Sequence, residues 1–202
     1  MTVEELLGQC DLFLATKEKI TQSGGFSCDN EDLDDFFIKD SIVYDQHLLG
    51  KTYVFCHKST KAIVCAFMLS NDSIRITNKL SVESKEQFLG NSELSEKNLR
   101  RYPAVLIGRL GTNRMFAGKG YGTAVMDFIK TWFRIGNKTG CRFIIVDAYN
   151  NPATIHYYLK NGFTYLIDDE RLEAKYMGIG VGRLPLNTRL MYFDLLKIKV
   201  EE

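Results

Sequence analysis

The sequence lacks the features that mark secreted, metal-dependent or membrane-spanning proteins. Its five cysteines are scattered and odd in number, with no Cys-x-x-Cys pair, so neither a disulfide framework nor a zinc site is expected. No apolar run approaches the roughly 20 residues that cross a bilayer, and the acidic N-terminus has no signal-peptide core. The formal net charge is only +1, which gives no global basic field for nucleic acid. These absences predict a soluble protein of the reducing cytoplasm.

The composition supports one sizeable core. Hydrophobic residues make up 45% of the 202 residues and aromatic residues 12%, which favours one large domain over two small ones. We therefore predict a single domain over residues 1–202. Segments rich in β-branched and aromatic residues alternate with segments of helical periodicity, which predicts a mixed α/β fold around one central sheet.

Local patterns predict most of the elements. A helix is expected over residues 29–49, with acids in its first turn and Gly50 at its end. Residues 71–103 are polar and predict an elaborated connection with one strand and one helix, around Leu80, Val82, Phe88, Leu89 and Leu94. Further helices are expected after PAVLIGRLGT and CRFIIVDAY. The predicted strands are DLFLAT, the adjacent antiparallel pair KTYVFCHK and AIVCAFMLSND, then PAVLIGRLGT, CRFIIVDAY and NTRLMYFDLL.

A turn with three alternate glycines follows PAVLIGRLGT. Gly118, Gly120 and Gly122 stand directly before a segment of helical periodicity. The Walker A pattern fails because Gly120 follows Lys119, and the dinucleotide pattern GxGxxG fails because its third position is Thr123. Glycines at a helix start let an anion approach unpaired backbone amides, but they also serve ordinary turns. The glycines alone leave both interpretations open.

Two segments in the same order carry a resemblance to a known family. AGKGYG, from Ala117 to Gly122, resembles the [QR]xxGx[GA] turn of the GNAT family of N-acetyltransferases. NPATIHYYLKNGF, from Asn151 to Phe163, is similar to a second motif of that family. Ala117 stands where the family usually has Gln or Arg, and Thr154 where a small Ala is common. The backbone of the turn is unaffected by either departure.

The resemblance implies a fold, a cosubstrate and its binding residues. The fold would be a mixed, mostly antiparallel sheet with splayed central strands, flanked by helices. The cosubstrate would be acetyl-CoA, with its pantetheine arm paired to backbone groups of a strand, one of which polarises the thioester carbonyl. Its pyrophosphate would bind the amides of the glycine turn. The implied cofactor-binding residues are Leu110, Gly111, Thr112, Ala117, Gly118, Lys119, Gly120, Tyr121, Gly122, Thr123 and Asn151.

The resemblance also implies a catalytic residue, Tyr158. It matches the tyrosine that protonates the departing CoA thiolate after an amine has attacked the thioester. A phenol with an ordinary pKa of roughly 10 keeps its proton at neutral pH and can act as a general acid. Without the motif, a core aromatic on an amphipathic helix is the simpler interpretation.

A general base is less clearly indicated. Asp147 is one candidate, although a capping or loop carboxylate is the preferred interpretation. His156 lies two residues before Tyr158, so on a helix it points elsewhere and is predicted to be a solvated surface residue. An amine that loses its proton to water would need no dedicated base.

The N-terminal half extends the resemblance to the GNAT toxins of bacterial toxin–antitoxin pairs. FSCDNEDLDDFF, the strand with TYV, and PAVLIGRL before the turn match the segments of those toxins, with Asp29 in place of a glycine. Such toxins acetylate aminoacyl-tRNA and are held by an antitoxin, which implies these two partners. Pairing of two copies into a homodimer is also common in such folds.

The charge balance keeps other functions open. Phosphate binding normally draws on clustered Lys and Arg. Such residues could form a patch for tRNA, or they could be ordinary surface charges or ligands of the CoA phosphates. The alternatives are an acetyltransferase of a small-molecule or protein amine, and a non-catalytic CoA-binding regulatory module. The patch candidates are Lys97, Arg100, Arg101, Arg109, Arg114 and Lys119.

Overall fold

The computed structural model describes residues 1–77, 80, 85, 86, 88, 99–136 and 139–199. It contains the strands β1 (Cys10–Leu14), β2 (Lys51–His57), β3 (Ile63–Arg75), β4 (Arg101–Thr112), β5 (Phe143–Tyr149), β6 (Thr164–Tyr165) and β7 (Thr188–Asp194). They form one sheet in the order β1-β2-β3-β4-β5-β7-β6. The described registers are antiparallel except that of β4 with β5. The predicted mixed, mostly antiparallel sheet is confirmed.

Seven α-helices are bounded within the described residues. They are α1 (Val3–Gln9), α2 (Lys17–Gln22), α3 (Glu31–Asp35), α4 (Ser41–Gln46), α5 (Tyr121–Ile135), α6 (Pro152–Lys160) and α7 (Glu170–Met177). A π-helical turn over Phe36–Asp40 joins α3 to α4. Two of the helices, α1 and α2, have only Leu6 and Ile20 as buried residues. Neither of them was predicted, and neither were β6 and α7.

The chain forms two compact units. The first comprises Met1–Asn71 with Ile107–Gly136, and the second Asp72–Leu106 with Asn137–Glu202. β4 therefore contributes its first half to the second unit and its second half to the first. The single domain over residues 1–202 stays a prediction.

In the first unit, helices cover both faces of the sheet. On one face α5 packs its aromatic residues against β2, with ring centroids of Phe55 and Phe128 5.2 Å apart and those of Tyr53 and Trp132 5.1 Å apart. On the other face the helical segment of α3, the π turn and α4 packs against a cluster that includes Phe36, Phe37, Val54, Ala66 and Met68. Alternating side chains of the strands thus supply two separate apolar surfaces.

The helix predicted over residues 29–49 forms, but its end was predicted wrongly. Asn30 caps it through the amide of Leu33, and acids fill its first turn as expected. It ends at Gln46 rather than at Gly50. The left-handed residue after the helix is Leu48, with a φ of 57°. Gly50 therefore does not end the helix and stands directly before β2.

In the second unit, the core lies among β4, β5 and β7. The rings of Phe88 and Phe143 stack with centroids 4.3 Å apart, and Tyr102 and Tyr192 meet Phe88 edge-on. Leu80 and Phe88 of the predicted connection belong to this core. Val82, Leu89 and Leu94 lie outside the described residues.

Asp29 takes a left-handed backbone with a φ of 60°, a conformation that favours glycine. We expect Asp29→Gly to raise the free energy of unfolding by about 0.5–1 kcal/mol, because relief of backbone strain outweighs the loss of one exposed ion pair. That pair joins the side chains of Asp29 and Arg114 at 3.6 Å. Urea denaturation provides the measurement. Asp29→Ala loses the same pair but keeps the strain, so a glycine variant no more stable than the alanine variant contradicts the argument.

Candidate active site

The C-terminal end of β4 is fixed by Asn113, which is 3% exposed. Its backbone N–H donates to the Val64 carbonyl at 2.8 Å, and its Nδ2 donates to the Ile63 carbonyl at 2.9 Å. Its Oδ1 accepts from the Met115 amide at 3.1 Å. One buried side chain therefore ties the end of β4 to β3 and starts the turn that follows. Asn113 could not be recognised from the sequence, because a lone Asn before a turn is an ordinary feature.

The bond from Asn113 to β3 determines which way the neighbouring peptides point. Backbone N–H and C=O groups alternate between the two sides of a strand, so those of Gly111 face β3. The groups of Leu110 and Thr112 face away from β3. Of the three predicted pantetheine partners, these two are therefore the better placed for a backbone ladder.

Two further features distinguish this part of β4. The register of β4 with β5 covers only Ala104–Leu106 against Phe143–Ile145, although both strands continue. Gly111 leaves little room for a side chain, because a Cβ there would lie 3.1 Å from the Cys28 Sγ and from a ring carbon of Phe26, so these neighbours would have to shift.

The glycine turn is built from left-handed residues. Gly118 has a φ of 73° and Gly120 a φ of 86°. Gly120 is the N-cap of α5 and provides no side-chain cap of the kind that a Ser or Asp would supply. A Cβ at Gly118 would meet nothing within 4 Å, so this residue borders open space.

Two side chains of the turn are already engaged within the protein. The Lys119 Nζ donates to the Met115 carbonyl at 3.0 Å. The Tyr121 hydroxyl donates to the Gln9 Oε1 at 2.6 Å, and its side chain is buried. Thr123 is half-buried and Ala117 is exposed. The side chains of Lys119 and Tyr121 are therefore used within the protein, and anion binding by the backbone amides of the turn stays a prediction.

Tyr158 lies on α6 in an aromatic and largely dry environment. Its side chain is 8% exposed, and its ring centroid lies 5.2 Å from that of Tyr157 and 5.3 Å from that of Phe163. Burial alone raises the pKa of the Tyr158 hydroxyl far above its ordinary value. The phenol therefore holds its proton at neutral pH, which is the state a general acid requires.

The helix that carries Tyr158 begins and ends as predicted. The Asn151 Oδ1 accepts from the Thr154 amide at 2.9 Å, and Pro152 is the first helical residue. Gly162 has a φ of 77° and the Phe163 amide donates to the Tyr158 carbonyl, which closes the last turn. The cap uses one acceptor site of the Asn151 oxygen, so the Nδ2 donors of this exposed side chain are the groups best placed for a further contact.

The general-base candidates differ from expectation in one case. Asp147 is neither a cap nor a loop residue; it lies within β5, opposite Leu190 of β7, so that interpretation was wrong. Desolvation first, and the nearby Asp72 carboxylate second, raise the pKa of Asp147 above its ordinary value, although the side chain is exposed. His156 is exposed on α6, as predicted.

A covalent route through cysteine is disfavoured. All five cysteines are free thiols. Cys28 lies beside Gly111, but burial first, and the hydrogen bond and charge of Asp34 next, raise its pKa to about 12. The thiol is therefore protonated at neutral pH and is a poor nucleophile. Within the described residues there is also no group of His, Cys, Asp and Glu that could hold a metal ion.

The basic candidates are distributed over both units. Arg109, Arg114 and Lys119 belong to the first unit, and Arg100 and Arg101, both exposed, to the second. Lys97 lies outside the described residues. Arg114 pairs with Asp29 and Lys119 bonds the Met115 carbonyl, so the charge of Arg114 is partly balanced within the protein.

Comparison with known proteins gives one family and one fold. The model of the acetyltransferase (GNAT) family matches residues 43–163. One similar structure is that of a tyrosine-to-phenylalanine mutant of the toxin AtaT, bound to acetyl-CoA and to the C-terminus of the antitoxin AtaR. Its sequence is 15% identical to this chain, and its TM-score is 0.62. The match covers 94% of this chain and 95% of that one. A tyrosine-to-phenylalanine mutant of KacT is 18% identical over 94% of this chain and 96% of its own, with a TM-score of 0.65.

A third structure is AtaT complexed with acetyl-methionyl-tRNAfMet. It is 16% identical, covers 93% of this chain and 96% of its own, and has a TM-score of 0.62. These similarities extend over nearly the whole chain, and at such identities they establish the fold. In the part of the chain that the structure describes, no helix combines the length and the apolar character that a bilayer crossing requires.

Proposed function

Since this chain belongs to the GNAT family of acetyltransferases, we propose that it transfers the acetyl group of acetyl-CoA to the amino group of an aminoacyl-tRNA. Family membership confirms the predicted enzyme class, an acyltransferase, and with it the predicted cosubstrate. The identity of the acceptor goes beyond family membership and is the proposal. The observation that carries it is the match of the fold over nearly the whole chain to toxin structures, one of them with an acetylated tRNA.

In the proposed reaction a neutral amine attacks the thioester carbonyl carbon. A tetrahedral oxyanion forms, the carbon–sulfur bond breaks, and the thiolate takes the proton of the Tyr158 hydroxyl. The amine nitrogen releases its extra proton to water, and the tyrosinate regains one from solvent. The raised pKa of Tyr158 suits this role because the hydroxyl is protonated when the thiolate leaves.

The binding roles are proposed residue by residue. Backbone groups of Leu110 and Thr112 pair with the pantetheine arm, and one of these N–H groups polarises the thioester carbonyl. The backbone groups of Gly111 bond to β3, and its lack of a side chain lets β4 pack closely against Phe26 and Cys28. Asn151 contacts the cofactor arm. The pyrophosphate is held by the amides of Ala117, Gly118, Lys119, Gly120, Tyr121, Gly122 and Thr123, with the Thr123 hydroxyl as a further donor.

The partners follow from the same proposal. An antitoxin protein would occupy the enzyme until it is degraded, and two copies of the chain would form a homodimer. The cytoplasm is the expected compartment because aminoacyl-tRNA is made there. Co-expression of the gene with its neighbours, followed by co-purification, tests for the antitoxin.

The acceptor is tested by mass spectrometry after incubation with acetyl-CoA and separate pools of aminoacyl-tRNA, peptides and small amines. Acetylation of aminoacyl-tRNA at a kcat/KM well above that of the other pools is expected. Preferential acetylation of a peptide or a small amine would overturn the acceptor while leaving the enzyme class intact.

Gly118→Ala separates the role of the turn in binding from its role in folding. We expect acetyl-CoA to bind about tenfold more weakly or worse, because a methyl group intrudes where a phosphate oxygen approaches the amides. Gly178 is a matched control, since it also has a positive φ, 75°, and open space around its Cβ position. Both alanine variants should lose similar stability in urea, and only Gly118→Ala should bind more weakly by calorimetry. Equal affinities in the two variants would exclude a close approach at Gly118.

A further inference from the structure

Arg109 carries a charge that no described acid neutralises. It lies on β4 directly before Leu110 and is half-buried. Its Nη1 donates to the Gly108 carbonyl at 2.9 Å, and its Nε is buried without a hydrogen-bond partner. None of the ion pairs among the described residues includes it. The guanidinium therefore keeps unused donors beside the strand proposed to hold the thioester.

The guanidinium is held in place by an aromatic platform. The Arg109 Cζ lies 5.2 Å from the ring centroid of Phe36. Phe36 belongs to the π turn and is 4% exposed, and Phe37 and Tyr44 meet its ring edge-on at 5.5 and 5.1 Å. A guanidinium held by a cation–π contact loses less freedom on binding than an unconstrained one, which favours an oxyanion ligand.

This arrangement is unfavourable without a ligand. A partly desolvated cation without a counterion and with a buried unpaired donor destabilises the fold. An arginine that served only to cover Phe36 could extend all its donors into water, as long basic side chains usually do. The lack of a counterion for this half-buried guanidinium therefore points to an anion that binds at its accessible edge.

We propose that Arg109 binds the phosphodiester nearest the acceptor amine, so that the acceptor is recognised by the backbone of an RNA 3′ end. This inference rests on the proposed function, because it concerns the same reaction. In an aminoacyl-tRNA the amino-acid carboxyl group is esterified, and the nearest negative charge is the phosphate before the terminal nucleoside. A free amino acid would instead present its own carboxylate.

The test compares two minimal acceptors, an aminoacylated 3′-terminal trinucleotide and an aminoacyl-adenosine without a phosphate. In Arg109→Gln, we expect kcat/KM for the trinucleotide to fall about 10- to 100-fold, the range of a charge-assisted hydrogen bond. The value for aminoacyl-adenosine and the KM for acetyl-CoA should not change. Arg109→Lys should be intermediate because the charge stays and the fork is lost. Arg171→Gln, which removes an exposed charge on α7, controls for general electrostatics.

Two outcomes overturn the inference. Equal losses with both acceptors would show that Arg109 acts on the protein and not on a phosphate. A preference for free amino acids, with a KM that rises in Arg109→Gln, would assign the anion to a carboxylate. Titration of the non-acylated trinucleotide into wild type and Arg109→Gln decides the case even if no acceptor is acetylated. Weaker binding by the variant supports Arg109, equal binding refutes it, and the lack of transfer counts only against the proposed function.

Discussion

Tyr158→Phe should lower kcat by about 10²- to 10³-fold and leave both KM values nearly unchanged, because a general acid acts in the transition state and not in substrate binding. The substitution removes one oxygen and keeps the ring, so the contacts with Tyr157 and Phe163 are retained. Steady-state kinetics with acetyl-CoA and the best acceptor measure the effect. A thermal unfolding midpoint close to that of wild type would show that the loss is chemical.

The neighbouring Tyr157 supplies the matched control. It lies one position earlier on α6 and is half-buried, and Tyr157→Phe removes the same atom. We expect its kcat to stay within about twofold of wild type. A Tyr158→Phe enzyme with wild-type turnover, or equal losses in the two variants, would remove Tyr158 from the proposed mechanism.

The pH dependence gives an independent check of the same residue. Burial raises the pKa of Tyr158 above the ordinary value of roughly 10. The acid therefore stays protonated through the neutral and mildly alkaline range, and kcat of the wild type should not fall between about pH 7 and about pH 9. A decline of kcat over that interval, with the protein folded, would mean that the proton comes from a group with a lower pKa.

Glu173→Ala should produce the largest stability loss, about 3–5 kcal/mol, because it leaves a buried guanidinium without its counterion. Glu173 is 0% exposed and its Oε2 accepts from the Arg189 Nε at 2.6 Å. Its Oε1 accepts from the Leu190 amide. The Arg189 Nη2 donates to the carbonyls of Ile167 and Asp168. This network attaches α7 to β7, and urea denaturation measures its loss.

Two comparisons test the reason for that effect. The double variant Glu173→Leu with Arg189→Met should be more stable than Glu173→Ala, since it removes both charges from the interior. Asp35→Ala breaks the Lys39–Asp35 pair, which is almost as short at 2.7 Å but exposed, and its loss should be too small to resolve. If the exposed and the buried pair contributed equally, burial would not be the deciding factor.

The local features of the fold and site could be predicted from the sequence. The glycine turn, the cap at Asn151 and the end of α6 at Gly162 each depend on residues within one or two turns of the chain. Their backbone conformations leave a direct mark in residue type, because only certain residues tolerate a left-handed φ or cap a helix. The strands other than β6 were also predictable, because their runs of apolar residues mark them locally.

The features that depend on distant residues could not be predicted. The Glu173–Arg189 pair joins residues 16 positions apart, and Asn113 bonds a carbonyl 50 positions away. The contact of Phe36, in the π turn, with Arg109 joins residues 73 positions apart. Asp147 was placed at the end of the predicted strand CRFIIVDAY, but the preferred role of its carboxylate as a cap or loop residue was wrong, because pairing with β7 continues through it to Tyr149.

The sequence by itself determined the family, the order of most elements and the position of the glycine turn, because these depend on short-range chemistry. Only the tertiary structure decided which peptides of β4 face away from β3. It also decided that the charges of Glu173 and Arg189 compensate each other and that the charge of Arg109 has no partner among the described acids. Those properties depend on residues that are far apart in the chain and meet only in the folded protein. Strand pairing decides the direction of the peptides, and burial, which removes water, makes a charge depend on its partner.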